Sequence, residues 1–147
     1  MLRPFAVTCL VAVVSLGWTG WAEAAACPLT NYNLSNQAEV DALGASGCDS
    51  VSGALIIRFS TDITNLDGLA NITSVGNELY IIDNDALTNL DGLANITSVG
   101  GYLEITGNAA LTNLDGLANI TSVGGSLLIL RNDALTNLDG LANITSA

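Results

Sequence analysis

A repeat of constant length is the feature that most constrains how this chain can fold. The segment LTNLDGLANITSVGG begins at Leu87 and again at Leu111, 24 residues later, and close copies begin at Ile63 and Leu135. Such a unit cannot bury its hydrophobic face alone, so repeated units stack on one another and share a core. The repeat therefore predicts a solenoid of four coils over residues 51–147.

The spacing of apolar residues within one coil predicts its local structure. Aliphatic residues first recur every second position and then mostly every third, which fits neither a long helix nor a long strand. Short extended segments joined by tight corners explain this spacing, with corners at Gly107-Asn108, Asp115-Gly116 and Gly124-Gly125. The β-segments expected in each coil are YLEI, ALTNL and NITSV.

The inward-pointing residues of a coil are expected to be aliphatic, because the chain is 50% hydrophobic but only 5% aromatic. In the third coil they are Leu103, Ile105, Leu111, Leu114, Leu117, Ile120 and Val123. Burying seven such side chains stabilises a coil by roughly 10–20 kcal/mol. Ordering its backbone costs roughly 24–48 kcal/mol. A single coil is therefore unstable, and stability must come from stacking.

The charge balance excludes several functions. The chain has 14 acidic and 3 basic residues, a net charge of −11, and no His. Nucleic-acid affinity depends on Lys and Arg that neutralise phosphates, so we expect no nucleic-acid partner, nor an anionic membrane surface. The sequence contains no nucleophile–base pair, P-loop or Cys/His metal spacing, and the constant repeat length leaves no inserted loop for catalytic groups. We expect a protein that is not an enzyme and has no cofactor.

Residues 1–26 have the pattern of a secretory signal peptide. Arg3 provides a short positive region, residues 5–16 are apolar, and A-x-A cleavage sites occur at residues 22–24 and 24–26. A membrane anchor is the alternative, but the apolar run is short for a bilayer span. We therefore expect a secreted, cell-surface or periplasmic protein whose mature chain has no transmembrane helix.

Two cysteines remain after the predicted cleavage, because Cys9 leaves with the signal peptide. An even number of cysteines in an exported chain favours a disulfide between Cys27 and Cys48. The alternative is lipidation of Cys27 as the first mature residue, although Ala24 stands where bacterial lipoprotein signals usually carry Leu. A disulfide closing a loop of about 20 residues stabilises a fold by about 3 kcal/mol.

The segment Asn31–Gly47 lies outside the repeat and is expected to cap the first coil. It can form a short helix with Ser35 or Asn36 as the N-cap and Gly44 near the C-terminus. A helix pinned by the disulfide would cover the apolar end of the solenoid. The side expected to face the coils carries Ala38, Val40, Ala42 and Leu43.

This arrangement resembles the receptor L domain family, which occurs in insulin- and EGF-receptor ectodomains and in many microbial surface proteins. The resemblance rests on Cys27, on SNQAEVDAL, on Cys48 followed by DSVSGALII, and on the ITSVGGxLxI-xx-N-xxLTNLDGL repeats, and it covers residues 27–147. It implies a right-handed β-helix with leucine-rich-repeat character that acts in binding. The repeats are more alike than is usual in that family. The sequence also stops within a coil, so we expect a frayed last coil, a fragment, or an end covered by another copy.

These sequence features predict an all-β solenoid with 24-residue coils and a short N-terminal capping helix, which the resemblance implies to be a right-handed β-helix or leucine-rich-repeat-like solenoid. The predicted boundaries are a signal peptide at 1–26, a cap with the helix and the disulfide at 27–50, and the four-coil solenoid at 51–147.

Stacking places identical polar side chains in columns about 4.8 Å apart. The Asp column is a weak candidate for a site for Ca²⁺ or another hard cation, and the alternative is that each Asp caps its own Asp-Gly corner. The Asn columns are expected to be structural, with side chains that bond backbone groups and one another along the solenoid. The Asn residues of the N-I-T sequons are expected to be structural corner residues, and glycosylation in a eukaryotic host is the alternative. The Asp column comprises Asp67, Asp91, Asp115 and Asp139, the Asn columns begin at Asn65 and Asn84, and the sequons begin at Asn71, Asn95, Asn119 and Asn143.

Differences among the coils concentrate on the outward positions of the first strand, while the Leu and Ile between them stay the same. An exposed surface with Tyr, Leu and Ile is typical of recognition sites, although neutral drift at solvent-facing positions is the alternative. The candidate partner-binding residues are Ile56, Glu78, Tyr80, Tyr102, Glu104 and Leu128. The sequence thus favours an exported binding or adhesion module for a protein or glycan partner. The alternative is a structural spacer in a larger surface protein.

Overall fold

A computed structural model describes residues 27–147 of the chain. The predicted signal peptide, with Cys9 and both cleavage sites, lies outside these residues. Within them the chain forms one α-helix and nine strands. The elements are β1 (Tyr32–Leu34), α1 (Gln37–Ala45), β2 (Ser50–Val51), β3 (Leu55–Ser60), β4 (Ser74–Val75), β5 (Leu79–Asn84), β6 (Ser98–Val99), β7 (Leu103–Thr106), β8 (Ser122–Val123) and β9 (Leu127–Leu130).

The strands form two parallel sheets in which each coil adds one strand to each sheet. One sheet has the order β1-β3-β5-β7-β9 and the other β2-β4-β6-β8. Pairing follows the repeat, so that Leu79 lies opposite Leu103 and Val75 lies opposite Val99. The predicted solenoid of 24-residue coils is confirmed by this pairing.

Two of the three β-segments predicted for each coil are strands, and the third is not. YLEI corresponds to β7, and NITSV contains the two-residue strand β8. ALTNL leads instead into a 3₁₀ helix at Asp115–Leu117. The N–H of Leu117 donates to the carbonyl of Leu114 there, so the corner closes through a local hydrogen bond. Within ALTNL the N–H of Thr112 still donates to the carbonyl of Thr88 in the preceding coil. Equivalent helices lie at Asp67–Leu69, Asp91–Leu93 and Asp139–Leu141.

The core is a stack of aliphatic side chains between the two sheets and the 3₁₀ helices. All seven residues expected to point inward in the third coil are buried, and six of them have no exposed surface. The same positions are buried in the first two coils. In the last coil Leu138 is 54% exposed, whereas Leu114, at the same position of the preceding coil, is fully buried.

Glycine allows the coils to approach closely. A Cβ at Gly116 would overlap the carbonyl oxygen of Leu90 in the preceding coil, and one at Gly100 would overlap that of Gly76. Gly92 and Gly124 meet the same restriction one coil away. These positions therefore carry Gly because a side chain there would force neighbouring coils apart.

The N-terminal segment adds one further layer to the stack. The helix α1 lies against the 3₁₀ helix Asp67–Leu69, and Gly44 and Gly68 permit the close approach of the two backbones. The side-chain carbonyl of Gln37 accepts the N–H groups of Thr64 and Asn65, which the first coil would otherwise leave unpaired. The helix thus covers the apolar side chains at this end and pairs two of its backbone N–H groups.

Details of the cap differ from the expectation. Asn36 is the N-cap, because its side chain accepts the N–H of Glu39. Val40 and Leu43 are buried, but Ala38 and Ala42 are exposed, because α1 contacts the coil along a narrower stripe than predicted. The strand β1 was not expected, and it extends the five-stranded sheet by pairing with β3.

Cys27 and Cys48 form a disulfide, with their Cα atoms 4.9 Å apart. It joins the start of the described chain to the residue that follows α1 and precedes β2. The predicted pairing is therefore present in the structure.

Candidate functional site

The candidate site is the solvent side of the five-stranded sheet, named here the outer face. Successive side chains of a strand point to opposite sides, so Leu79 and Ile81 enter the core while Tyr80 and Ile82 face outward. The outer face comprises Ile56 and Arg58 on β3, Tyr80 and Ile82 on β5, Glu104 and Thr106 on β7, Leu128 and Leu130 on β9, and Glu78, Tyr102 and Ser126 just before their strands.

The strand register arranges the outer face in lines across the sheet. One line is Ile56, Tyr80, Glu104 and Leu128, in which each residue lies opposite the next. A second line is formed by Arg58, Ile82, Thr106 and Leu130. Neighbours in a line belong to strands about 4.8 Å apart, so their side chains are in contact range.

Glu78 and Tyr102 belong to the sheet although they precede their strands. The carbonyl of Glu78 accepts the N–H of Leu55, and the carbonyl of Tyr102 accepts that of Leu79, each at 2.9 Å. Their backbones are therefore fixed by inter-coil hydrogen bonds. This holds the two side chains over the same face as the strand residues that follow.

Two tyrosines and two glutamates consequently alternate over two coils. Glu78 precedes Tyr80 by two residues, Tyr102 precedes Glu104 by two, and Tyr80 lies opposite Glu104. We call these four residues the Tyr–Glu checkerboard. Burial raises the pKa of Tyr80, and the charges of Glu78 and Glu104 and the neighbouring Tyr102 raise it further. The checkerboard thus disfavours additional negative charge.

A depression lies beside the checkerboard. Its volume is about 330 Å³, and Tyr80, Tyr102, Glu104, Ser126 and Leu128 are among the residues that line it. Tyr102 is 51% exposed and Leu128 is 42% exposed, so aromatic and aliphatic surface is available to a partner there. The polar side chains among its lining residues carry carboxylate, phenol and hydroxyl groups.

The N-terminal end of the outer face carries its one basic residue. The guanidinium of Arg58 lies 5.4 Å from the centre of the Phe59 ring, and its Nε donates to Asn33 Oδ1 at 3.2 Å. Arg58 lies opposite Ile82, four residues along the strand from Glu78. Its bond to Asn33 draws the guanidinium toward β1, on the side of β3 that faces away from β5 and the checkerboard.

The structure brings all six candidate partner-binding residues onto the outer face. Sequence reasoning missed the second line. Its residues lie two positions after those of the first line on each strand, so the alternation of inward and outward side chains could have identified them. Ala54 occupies the position before β3 that corresponds to Glu78 and Tyr102, but it is buried, because Asn31 and β1 cover it. The residues of the missed line are Arg58, Ile82, Thr106 and Leu130.

The Asp column stands away from the strands, at the start of the 3₁₀ helices. Its members are Asp67, Asp91, Asp115 and Asp139, all exposed. The prediction that each Asp caps its own corner is wrong, because the Asn two residues earlier accepts the N–H of the Asp, as Asn65 does for Asp67 and Asn113 for Asp115. Among residues 27–147, no group of three or more Asp, Glu, Cys or His residues is placed to hold a metal ion.

Asparagines after the first strands connect one coil to the next. The side chain of Asn108 is fully buried, and its Oδ1 accepts both the N–H and the Nδ2 of Asn84. Its own Nδ2 donates to the carbonyl of Ile81 and to Asn132 Oδ1. This column, Asn84, Asn108 and Asn132, is named the Asn ladder.

The sequon asparagines also hold corners. The Nδ2 of Asn95 donates to the carbonyl of Ala70 in the preceding coil, and Asn119 and Asn143 make the same bond one and two coils further on.

Comparisons with protein-family models, with curated proteins and with solved structures gave no match to this chain. The resemblance to receptor L domains therefore stays a prediction from the sequence. Over residues 27–147, no helix has both the length and the apolar character needed to cross a membrane.

Proposed function

We propose that this protein is an exported, non-catalytic binding or adhesion module that presents its outer face to a protein or glycan partner. One observation carries the proposal. Among coils that otherwise repeat closely, the differences fall on outward side chains that are fixed by a regular sheet and that expose aromatic and aliphatic surface. Rigid exposed side chains of this kind bind a partner at low entropic cost.

Export agrees with the cysteine chemistry and with the N-terminal sequence. Disulfides persist in oxidising compartments, and the chain joins Cys27 to Cys48. The signal-peptide pattern of residues 1–26 points the same way. The location that follows is the cell exterior, as a secreted or surface-attached protein.

The finer fold assignment also belongs to this proposal. We infer a right-handed β-helix with leucine-rich-repeat character, similar to receptor L domains. The parallel strands, the constant coil and the N-terminal cap with its disulfide support it. Members of that family act in binding, which agrees with the proposal that the outer face is the binding surface.

A binding screen with two matched variants tests the proposal. Protein secreted from the full-length sequence is applied to protein and glycan arrays, and any partner is then tested with Tyr80→Ala/Tyr102→Ala. We expect this variant to lose binding and keep its stability, since both side chains lie outside the core. The control Asp91→Ala/Asp115→Ala changes exposed residues of the same coils on another side and should bind normally. Unaltered affinity of the tyrosine variant would refute the assignment.

A further inference from the structure

We infer that the Tyr–Glu checkerboard binds a positively charged side chain, arginine or lysine, carried by an extended segment of a protein partner. The inference rests on the proposed function, because it names the chemistry of the partner at the same face.

The first argument is charge complementarity. Glu78 and Glu104 place two carboxylates beside the rings of Tyr80 and Tyr102. A carboxylate makes strong charge-assisted hydrogen bonds to a guanidinium or ammonium group. The face of an aromatic ring attracts the same cations. All four members of the checkerboard thus favour one kind of ligand group.

The chain does not neutralise these carboxylates itself. Residues 27–147 contain two basic residues, Arg58 and Arg131. Arg58 lies on β3, the strand next to β5, but its Nε donates to Asn33 on β1, on the other side of β3, and its guanidinium lies over the Phe59 ring. Arg131 follows β9, one strand beyond Glu104 and two coils from Glu78. A cation from a partner would therefore enter a site whose charge is uncompensated.

The shape of the surface favours a protein segment over an oligosaccharide. The depression of about 330 Å³ beside the checkerboard is at the small end of ligand pockets, and it can accept one long side chain. Ile82, Leu128 and Leu130 add apolar surface to the two lines of the outer face, in which neighbouring residues lie on strands about 4.8 Å apart. An extended segment that alternates basic and aliphatic residues matches this arrangement.

The overall charge acts in the same direction. A net charge of −11 attracts basic partners at long range and speeds their association at low salt. The long-range field does not select the outer face, however. The local carboxylates must therefore be separated from the net charge in any test.

The test compares arginine with its neutral isostere. The probes are acetyl-Leu-Arg-Leu-Arg-Leu-amide and the same peptide with citrulline in place of both arginines, and binding to the secreted protein is followed by NMR of the Tyr80 and Tyr102 rings. We expect the arginine peptide to bind at least about tenfold more tightly than the citrulline peptide. Both tyrosine rings should shift during the titration.

Two charge-matched variants locate the effect. Glu78→Gln/Glu104→Gln removes two negative charges from the checkerboard and keeps its shape, so it should bind the two peptides about equally. Asp91→Asn/Asp115→Asn removes the same charge from the 3₁₀ side and should keep the preference for arginine. Equal affinity of the two peptides for the unmodified protein would overturn the inference, as would an arginine preference that survives the glutamine substitutions.

The outcome also separates this inference from the proposed function. If Tyr80→Ala/Tyr102→Ala abolishes binding of a glycan or of a neutral protein found on the arrays, and arginine has no advantage, then the outer face is a binding face but not a site for a cation. If the tyrosine variant binds every partner normally, both proposals fail together.

Discussion

The stacking surfaces of the coils and the outer face of the sheet follow opposite rules. Positions through which one coil contacts the next repeat almost without change, as do Gly92 and Gly116, or Asn84 and Asn108. Outer-face positions differ in every coil, as do Tyr80 and Glu104. A stacking residue must fit the same residue above and below it, whereas an outward residue meets solvent. The constraint on each position therefore comes from its inter-coil contacts.

The largest expected effect is at the glycine contact between coils. Gly116→Ala places a Cβ on the carbonyl oxygen of Leu90, so the coils must separate, and we expect the free energy of unfolding to fall by about 3 kcal/mol. At Gly101 the nearest atom to an added Cβ is 3.0 Å away, and Gly101→Ala should cost about 1 kcal/mol or less. Denaturant unfolding of both variants measures the difference. Equal losses of stability in the two variants would show that close stacking of the coils does not restrict position 116.

The Asn ladder should show the next largest effect. Asn108→Ala removes the acceptor of the Asn84 N–H and Nδ2, the side-chain donor to the buried carbonyl of Ile81, and one of the two donors to Asn132 Oδ1. Leaving such groups unpaired should lower the free energy of unfolding by about 2–3 kcal/mol. Asn132→Ala, at a half-buried position, should cost less. Thermal unfolding can rank the two variants, and a smaller loss for Asn108→Ala would contradict the ladder.

The turn after each first strand provides a smaller test with opposite signs at equivalent positions. Phe59 has φ 55°, a left-handed backbone conformation that a side chain disfavours, and it is 66% exposed. Phe59→Gly therefore relieves the backbone with little loss of packing. We expect a gain of about 0.5–1 kcal/mol in the free energy of unfolding. Gly107, with φ 73°, occupies the same place one strand beyond Asp83, and Gly107→Ala should destabilise by about 1 kcal/mol or more. If both variants lose stability, the left-handed backbone does not determine which residue is favoured at these positions.

The smallest effect concerns the ionisation of Tyr80. Its pKa is raised by burial first and then by Glu78 and Glu104, so Glu78→Gln/Glu104→Gln should lower the pKa only in part. Ultraviolet titration in a Tyr32→Phe/Tyr102→Phe background observes Tyr80 alone within residues 27–147. Because the folded-state pKa lies above the unfolded one, Tyr80 supports the fold below about pH 10, and this support is lost as the pH rises through the folded value. An unchanged pKa of Tyr80 in the glutamine variant would show that the two carboxylates do not affect its ionisation.

The sequence predicts the core and the sheets well because the repeat fixes both. A period of 24 residues places Leu79 opposite Leu103, and alternation along the strand then decides that Tyr80 faces outward. The same reasoning brought together the candidate partner-binding residues. The second line, with Ile82 and Thr106, follows from the same alternation two residues further along each strand.

The parts that the sequence did not predict depend on contacts that the repeat does not contain. The strand β1 has three residues, YNL, and no copy of itself, so only its pairing with β3 reveals it. The cap of each Asp-Gly corner was assigned to the Asp, whereas the Asn two residues earlier accepts the backbone N–H, because both residue types can accept such a bond and composition does not decide between them. The ALTNL segment has strand-like spacing, but its corner closes through local 3₁₀ hydrogen bonds.

The central claim is that the outer face is independent of the stacking surfaces. The most direct measurement is the free energy of unfolding of a variant whose checkerboard copies the last coil. It carries Glu78→Ser, Tyr80→Leu, Tyr102→Ser and Glu104→Leu, after Ser126 and Leu128. We predict a value within about 1 kcal/mol of the unmodified protein, as is usual for surface substitutions, together with loss of partner binding. A loss of stability as large as that of Gly116→Ala would contradict the claim.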